Sequence, residues 1–100
     1  MKFGLNIKTI EKIHSVFEKY SEIEKVIIYG SRAKGNYRNG SDIDLVLCGD
    51  NLNTSFLLKI DEAIDELNLP YTFDISIYDQ IDNENLLEHI NRAGMDFYTT

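Results

Sequence analysis

Tryptophan is absent from this 100-residue chain, cysteine and proline occur once each, and basic residues number only 10 against 17 acids. The lone cysteine, Cys48, excludes an internal disulfide and a cysteine-built zinc site. Set in an apolar run, it reads as a small buried hydrophobe. The only two histidines, His14 and His89, stand 75 positions apart, each inside a helical pattern, and read as helix-surface residues rather than metal ligands. A net charge of −7 argues against a broad contact with a nucleic-acid backbone, which needs a basic face. A small local phosphate site stays open. No apolar run approaches the ~18 residues of a membrane span. Met1-Lys2-Phe3-Gly4-Leu5-Asn6 lacks both the apolar stretch and the small-residue cleavage site of a signal peptide, so a cytoplasmic protein is expected. At roughly 100–150 residues per domain there is no room for a second one, and no repeat, linker or low-complexity stretch interrupts the chain.

What is present is the 43% hydrophobic composition of one globular α/β domain spanning residues 1–100. Ile7, Ile10, Ile13, Val16, Phe17 and Tyr20 recur at helical spacing over residues 7–20, with Asn6 placed to cap the start. Residues 25–29, Lys25-Val26-Ile27-Ile28-Tyr29, are short and β-branched at their centre, are bounded by Gly30, and read as a buried strand. A second strand covers 42–48 and a third, cleanly alternating, covers 71–78. Between them Phe56, Leu57, Ile60, Ala63, Ile64 and Leu67 form a helical stripe that ends at Pro70. Leu86, Leu87, Ile90 and Ala93 mark a last helix, opened by Asp82 or Asn83 and closed by Gly94. The expected order is α-β-β-α-β-α around a small sheet.

Three acids stand out by position. Asp42 and Asp44 are two apart on a strand, so both leave the same face. Asp74 lies mid-strand between Phe73 and Ile75, which point the other way, into the core. Aspartate suits a strand interior poorly and is costly to bury unpaired. Three on one face repel unless a cation sits among them, and carboxylates with phosphate oxygens are what Mg²⁺ prefers. Alone, Asp-x-Asp is expected about 0.8 times by chance in such a chain. Gly30-Ser31, ten residues, then Asp42-x-Asp44 is expected only about 0.003 times. The intervening loop fits the same chemistry. A glycine at a strand end lets backbone N–H groups approach an anion, serine adds a hydroxyl, and Arg32, Lys34 and Arg38 gather positive charge in an acidic protein. The bland alternative is a solvated connection turning at Asn39-Gly40.

Tyr29-Gly30-Ser31-Arg32, the ten-residue spacing, Ser41-Asp42-Ile43-Asp44-Leu45 and Phe73-Asp74-Ile75 together resemble the polymerase β-type nucleotidyltransferase superfamily, and within it the minimal nucleotidyltransferases. The resemblance runs from the first helix to Phe97-Tyr98. It implies a three-stranded mixed sheet flanked by helices, with Gly30 and Ser31 on the triphosphate and Arg32 on a phosphate oxygen. Lys34 and Arg38 are weaker candidates, and Tyr37 is a candidate for stacking on the base. Asp42, Asp44 and Asp74 would hold two Mg²⁺ ions, Asp74 also helping to deprotonate the attacking hydroxyl. ATP is the implied donor. The second, substrate-binding domain of larger superfamily members has no counterpart here, so the acceptor is expected to bring its own docking surface. The implied partner is a HEPN-type ribonuclease toxin, silenced by transfer of AMP to a tyrosine. Two alternatives stand beside this: a non-catalytic antitoxin that masks its toxin, and a small-molecule nucleotidyltransferase.

Overall fold

The computed structural model of the protein describes residues 2–100. In chain order the elements are α1 (Ile7–Glu18), β1 (Lys25–Tyr29), the short α2 (Ser31–Lys34), β2 (Ile43–Cys48), α3 (Thr54–Asp65), β3 (Phe73–Ile77), a 3₁₀ turn (Tyr78–Gln80), α4 (Glu84–Ala93) and β4 (Met95–Thr99). Each long helix starts on an asparagine. Asn6, Asn53 and Asn83 accept the amides of Thr9, Phe56 and Leu86 on their side-chain oxygens at 2.8, 2.9 and 3.1 Å. Each bond satisfies one of the N–H groups that a helix start leaves without an internal acceptor. No helix among the described residues is long and apolar enough to cross a membrane.

The strands lie in the order β3-β2-β1-β4, with β1 antiparallel to both β2 and β4 and β2 parallel to β3. The sheet is mixed, as expected, but it has four strands rather than three. Only Phe97 is buried in β4, so residues 95–99 carry no alternating signal of their own. The open edge of β1 recruits them, with a register shift between Val26 and Ile27. Gly94 makes the passage from α4 possible, since a Cβ there would collide with the Ile90 carbonyl and lie 2.6 Å from Ile27 Cγ2.

Alternation divides the sheet into two unequal faces. Val26 and Ile28 of β1, Ile43, Leu45 and Leu47 of β2 and Ile75 of β3 meet Ile10, Ile13, Val16 and Phe17 of α1 and Phe56, Ile60 and Ile64 of α3 in the main core. The opposite face has a smaller cluster, Tyr29 and Val46 beneath Ile90 of α4. Ile7, the first residue of the expected apolar stripe, is 66% exposed and takes no part in the core. On this second face α4 lies over β1, and β2 and β3 present Asp44, Asp74 and Ser76 beside the buried Val46.

Phe97 binds β4 to the main core, with ring centroids 6.0 Å from Phe3, 6.4 Å from Phe17 and 5.0 Å from His14, whose Nε2 meets the Phe97 carbonyl at 2.7 Å. Phe97→Ala should destabilise the protein by about 3–5 kcal/mol in urea unfolding. A loss under about 1 kcal/mol would show that β4 does not close the sheet edge.

Candidate active site

The site is built where β1 gives way to α2. Gly30 adopts φ 77° and ψ −155°, a conformation that side-chain-bearing residues avoid, and it turns the chain from strand into a helical turn. Lys34 N–H donates to the Gly30 carbonyl at 3.1 Å and Gly35 N–H to the Ser31 carbonyl at 3.0 Å. The amides at the start of that turn have no carbonyl behind them to bond, which leaves donors free for an anion. Gly30 also lies against a carboxylate, since a Cβ on it would sit 2.5 Å from Asp44 Oδ2.

Parallel pairing of β2 with β3 sets Asp44 directly opposite Asp74, and antiparallel pairing sets Tyr29 opposite Asp44. Tyr29, Asp44 and Asp74 therefore form one row across the less covered face. Partial burial, then the charges of Asp74 and Asp42, hold the Asp44 carboxyl above the ordinary carboxylate range. Burial, then Asp74 and Asp44, pushes the Tyr29 phenol up to about 12. Asp42 is exposed and stands one residue before β2 rather than inside it.

The donor set suits a hard cation such as Mg²⁺, being carboxylate oxygens only, and glycine at position 30 lets the Asp44 carboxylate come up against the turn. No three His, Cys, Asp or Glu side chains among the described residues form a ready-made metal cage. Like charges drive carboxylates apart, and a cation would supply the attraction that gathers them.

The structure corrects the expected role of Arg32. Its side chain is 2% exposed and turned inward, with Nε and Nη2 donating to the Ser41 carbonyl at 3.1 and 3.0 Å and Nη1 to the Phe3 carbonyl at 3.0 Å. A guanidinium held this way is not presented to a phosphate at the surface. The Tyr37 ring lies over that guanidinium and against Gly4 rather than standing free, while Lys34 and Arg38 are exposed. One further residue packs on the acidic row, and another feels the charge of Asp74. His89 of α4 sits edge-on to Tyr29, centroids 6.1 Å apart, so it is a packed residue rather than a free helix-surface one. Asp61 of α3 has its carboxyl raised by burial and then by Asp74. Strand alternation places Tyr29 on the Asp44 face; nothing in the sequence brings Asp61 near β3.

Two outcomes follow from this geometry. Because folding raises the proton affinity of Asp44, the folded state holds more protons than the unfolded one through the window above the ordinary carboxylate range, and stability falls as pH rises across it. Without divalent cation, Asp44→Asn should therefore melt higher than wild type at neutral pH and nearly together with it in acid. A lower melting temperature at both pH values would mean that the carboxylate makes net favourable contacts. Gly30→Ala should destabilise by more than about 1 kcal/mol in the same melts, because the backbone is strained and the new methyl meets Asp44.

Residues 11–100 match the family described as polymerase beta, nucleotidyltransferase. A Methanocaldococcus jannaschii protein provisionally named a protein adenylyltransferase is 35% identical over 65 residues, a match covering 57% of this chain and 65% of that protein. The chain thus spans a little under two thirds of that relative's length. Among solved structures, a chain of a toxin–antitoxin complex with AMP-PNP superposes with a TM-score of 0.70 at 18% identity, over 96% of this chain and 75% of the other. A chain of the complex between tri-AMPylated Shewanella oneidensis HEPN toxin and MNT antitoxin gives 0.66 at 14% identity, over 93% and 71%. A provisionally named nucleotidyltransferase of Sulfolobus solfataricus gives 0.54 at 19% identity, over 96% and 91%. At such identities these structures speak for the fold, and with a match over residues 11–100 the chain belongs to the polymerase β nucleotidyltransferase family.

Proposed function

We propose that this protein is a Mg²⁺-dependent nucleotidyltransferase that moves AMP from ATP onto a protein hydroxyl, acting as the antitoxin of a HEPN/MNT pair. The observation that carries this is the meeting of the Gly30-Ser31 turn with the Asp44–Asp74 row, which sets anion donors beside carboxylates. The Methanocaldococcus jannaschii relative supports AMP transfer to protein, and the structural relatives drawn from toxin–antitoxin complexes support the partner class.

In this reading the amides at the start of α2 and the Ser31 hydroxyl hold the triphosphate, and Gly30 lets the Asp44 carboxylate approach that turn closely. Asp42, Asp44 and Asp74 would hold Mg²⁺, which when bound neutralises the charge of the phosphates and of the leaving pyrophosphate. The acceptor hydroxyl oxygen forms a bond to the α-phosphorus as the bond from that phosphorus to the bridging β-phosphate oxygen breaks. Asp74, the exposed member of the row, takes the hydroxyl proton. Pyrophosphate departs with the electron pair of the broken bond.

Incubation with ATP, Mg²⁺ and the HEPN-type partner should add whole AMP units to that partner, read by intact-protein mass spectrometry. A tyrosine acceptor is expected. Asp44→Asn should lower the rate by about a hundredfold or more while the circular dichroism spectrum stays that of wild type. Neutralisation that persists in Asp42→Asn/Asp44→Asn, with no mass added by wild type, would replace this reading with simple masking of the partner.

A further inference from the structure

We propose that Arg32 is a positioning residue that holds Asp42 in place relative to the Ser31 turn. Its effect on transfer rests on the nucleotidyltransferase reading; its effect on the loop does not. The ten residues that separate Ser31 from Asp42 are residues 32–41, and the two ends of that stretch are tied to each other. Arg32 Nε and Nη2 both donate to the carbonyl of Ser41, the residue joined directly to Asp42. Ser41 is fixed on its other sides too. Its hydroxyl accepts the Arg38 amide at 2.8 Å, and its own N–H donates to the Arg38 carbonyl at 2.9 Å. The spacing between the serine and the first aspartate is thus a ring closed by one guanidinium.

The closure is anchored from outside the loop. Arg32 Nη1 donates to the carbonyl of Phe3, in a turn closed by Lys2 N–H to the Leu5 carbonyl at 3.1 Å and Leu5 N–H to the Lys2 carbonyl at 2.9 Å. That turn holds Phe3 at φ 58° and Gly4 at φ 73°, backbone that non-glycine residues seldom adopt. The Tyr37 ring lies so close to Gly4 that a Cβ there would come within 2.7 Å of its Cζ. Tyr37 and Tyr71 stack on the guanidinium, with Arg32 Cζ 5.4 and 5.0 Å from their ring centroids. The only ion pair among the described residues is Arg92–Glu88, so this buried cation is satisfied by carbonyls and aromatic faces in a chain with acids to spare. A planar fork with several donors can make this closure, and a lysine cannot.

Arg32→Lys keeps the charge and loses the fork, which separates positioning from phosphate attraction. Amide hydrogen exchange in residues 35–42 should quicken by about tenfold while the β1 and β2 amides keep their protection. With ATP, Mg²⁺ and the HEPN-type partner, kcat should fall by about a hundredfold and KM for ATP should stay within about threefold. Tyr37→Leu keeps the hydrogen bonds and removes one stacking ring, so it should shift the same readouts in the same direction and by less. The proposal is overturned if exchange in residues 35–42 is unchanged in both variants. It is also overturned if KM for ATP rises about tenfold with kcat retained, which is the signature of a direct phosphate contact. Protection lost evenly from strands and loop in Tyr37→Leu would likewise overturn it. If wild type transfers no AMP, the function assigned above fails, and the exchange comparison still decides the role of Arg32.

Discussion

Parallel pairing of β2 with β3 places two carboxylates, Asp44 and Asp74, directly across from each other on one face of the sheet, and much of the molecule is arranged around that repulsion. The opposite face carries an uninterrupted aliphatic surface covered by α1 and α3, so the main core does not depend on the acids. The acidic face receives α4, with Tyr29 of β1 and Val46 of β2 supplying apolar contact, and Asp44 and Asp74 lie beside that cluster on β2 and β3. Residue 30 is glycine because the Asp44 carboxylate occupies the space where a side chain would begin. Burial of Asp44 among like charges holds its carboxyl above the ordinary carboxylate range, a cost that the cation of the proposed function would relieve.

Positive charge in the loop is divided between two kinds of task. Lys34 and Arg38 lie exposed, where water screens them and long side chains remain mobile. Arg32 is withdrawn from solvent, and its worth lies in the number and direction of its donors. Two basic residues two positions apart in sequence therefore differ completely in environment, because a helical turn points Arg32 toward the N-terminal segment and Lys34 away from it.

The fold superposes on relatives at 14–19% identity. Such divergence is tolerable because a core asks for volume and pattern rather than particular side chains. At Gly30 the constraint is of another kind, since the backbone approaches the Asp44 carboxylate too closely for a side chain.

The sequence by itself determined the elements and the candidate chemistry. Helix stripes, the Asn6 cap, the boundaries of β1 and the pairing of Gly30-Ser31 with Asp42-x-Asp44 are local properties, carried by periodicity, backbone preference and short spacing. Alternation along each strand was also enough to place Asp44 and Asp74 opposite the aliphatic core face. Only the tertiary structure decided the rest. β4 exists because β1 offers a free edge, since Met95, Asp96 and Thr99 carry no buried pattern of their own. Asp61 reaches the field of Asp74 because α3 packs beside β3. Arg32 looks like a surface cation in sequence and becomes a buried clamp because Phe3, twenty-nine positions earlier, brings its carbonyl to the guanidinium. In each case the deciding partner is distant in the chain, and neither strand propensity nor residue type records which distant atoms will arrive.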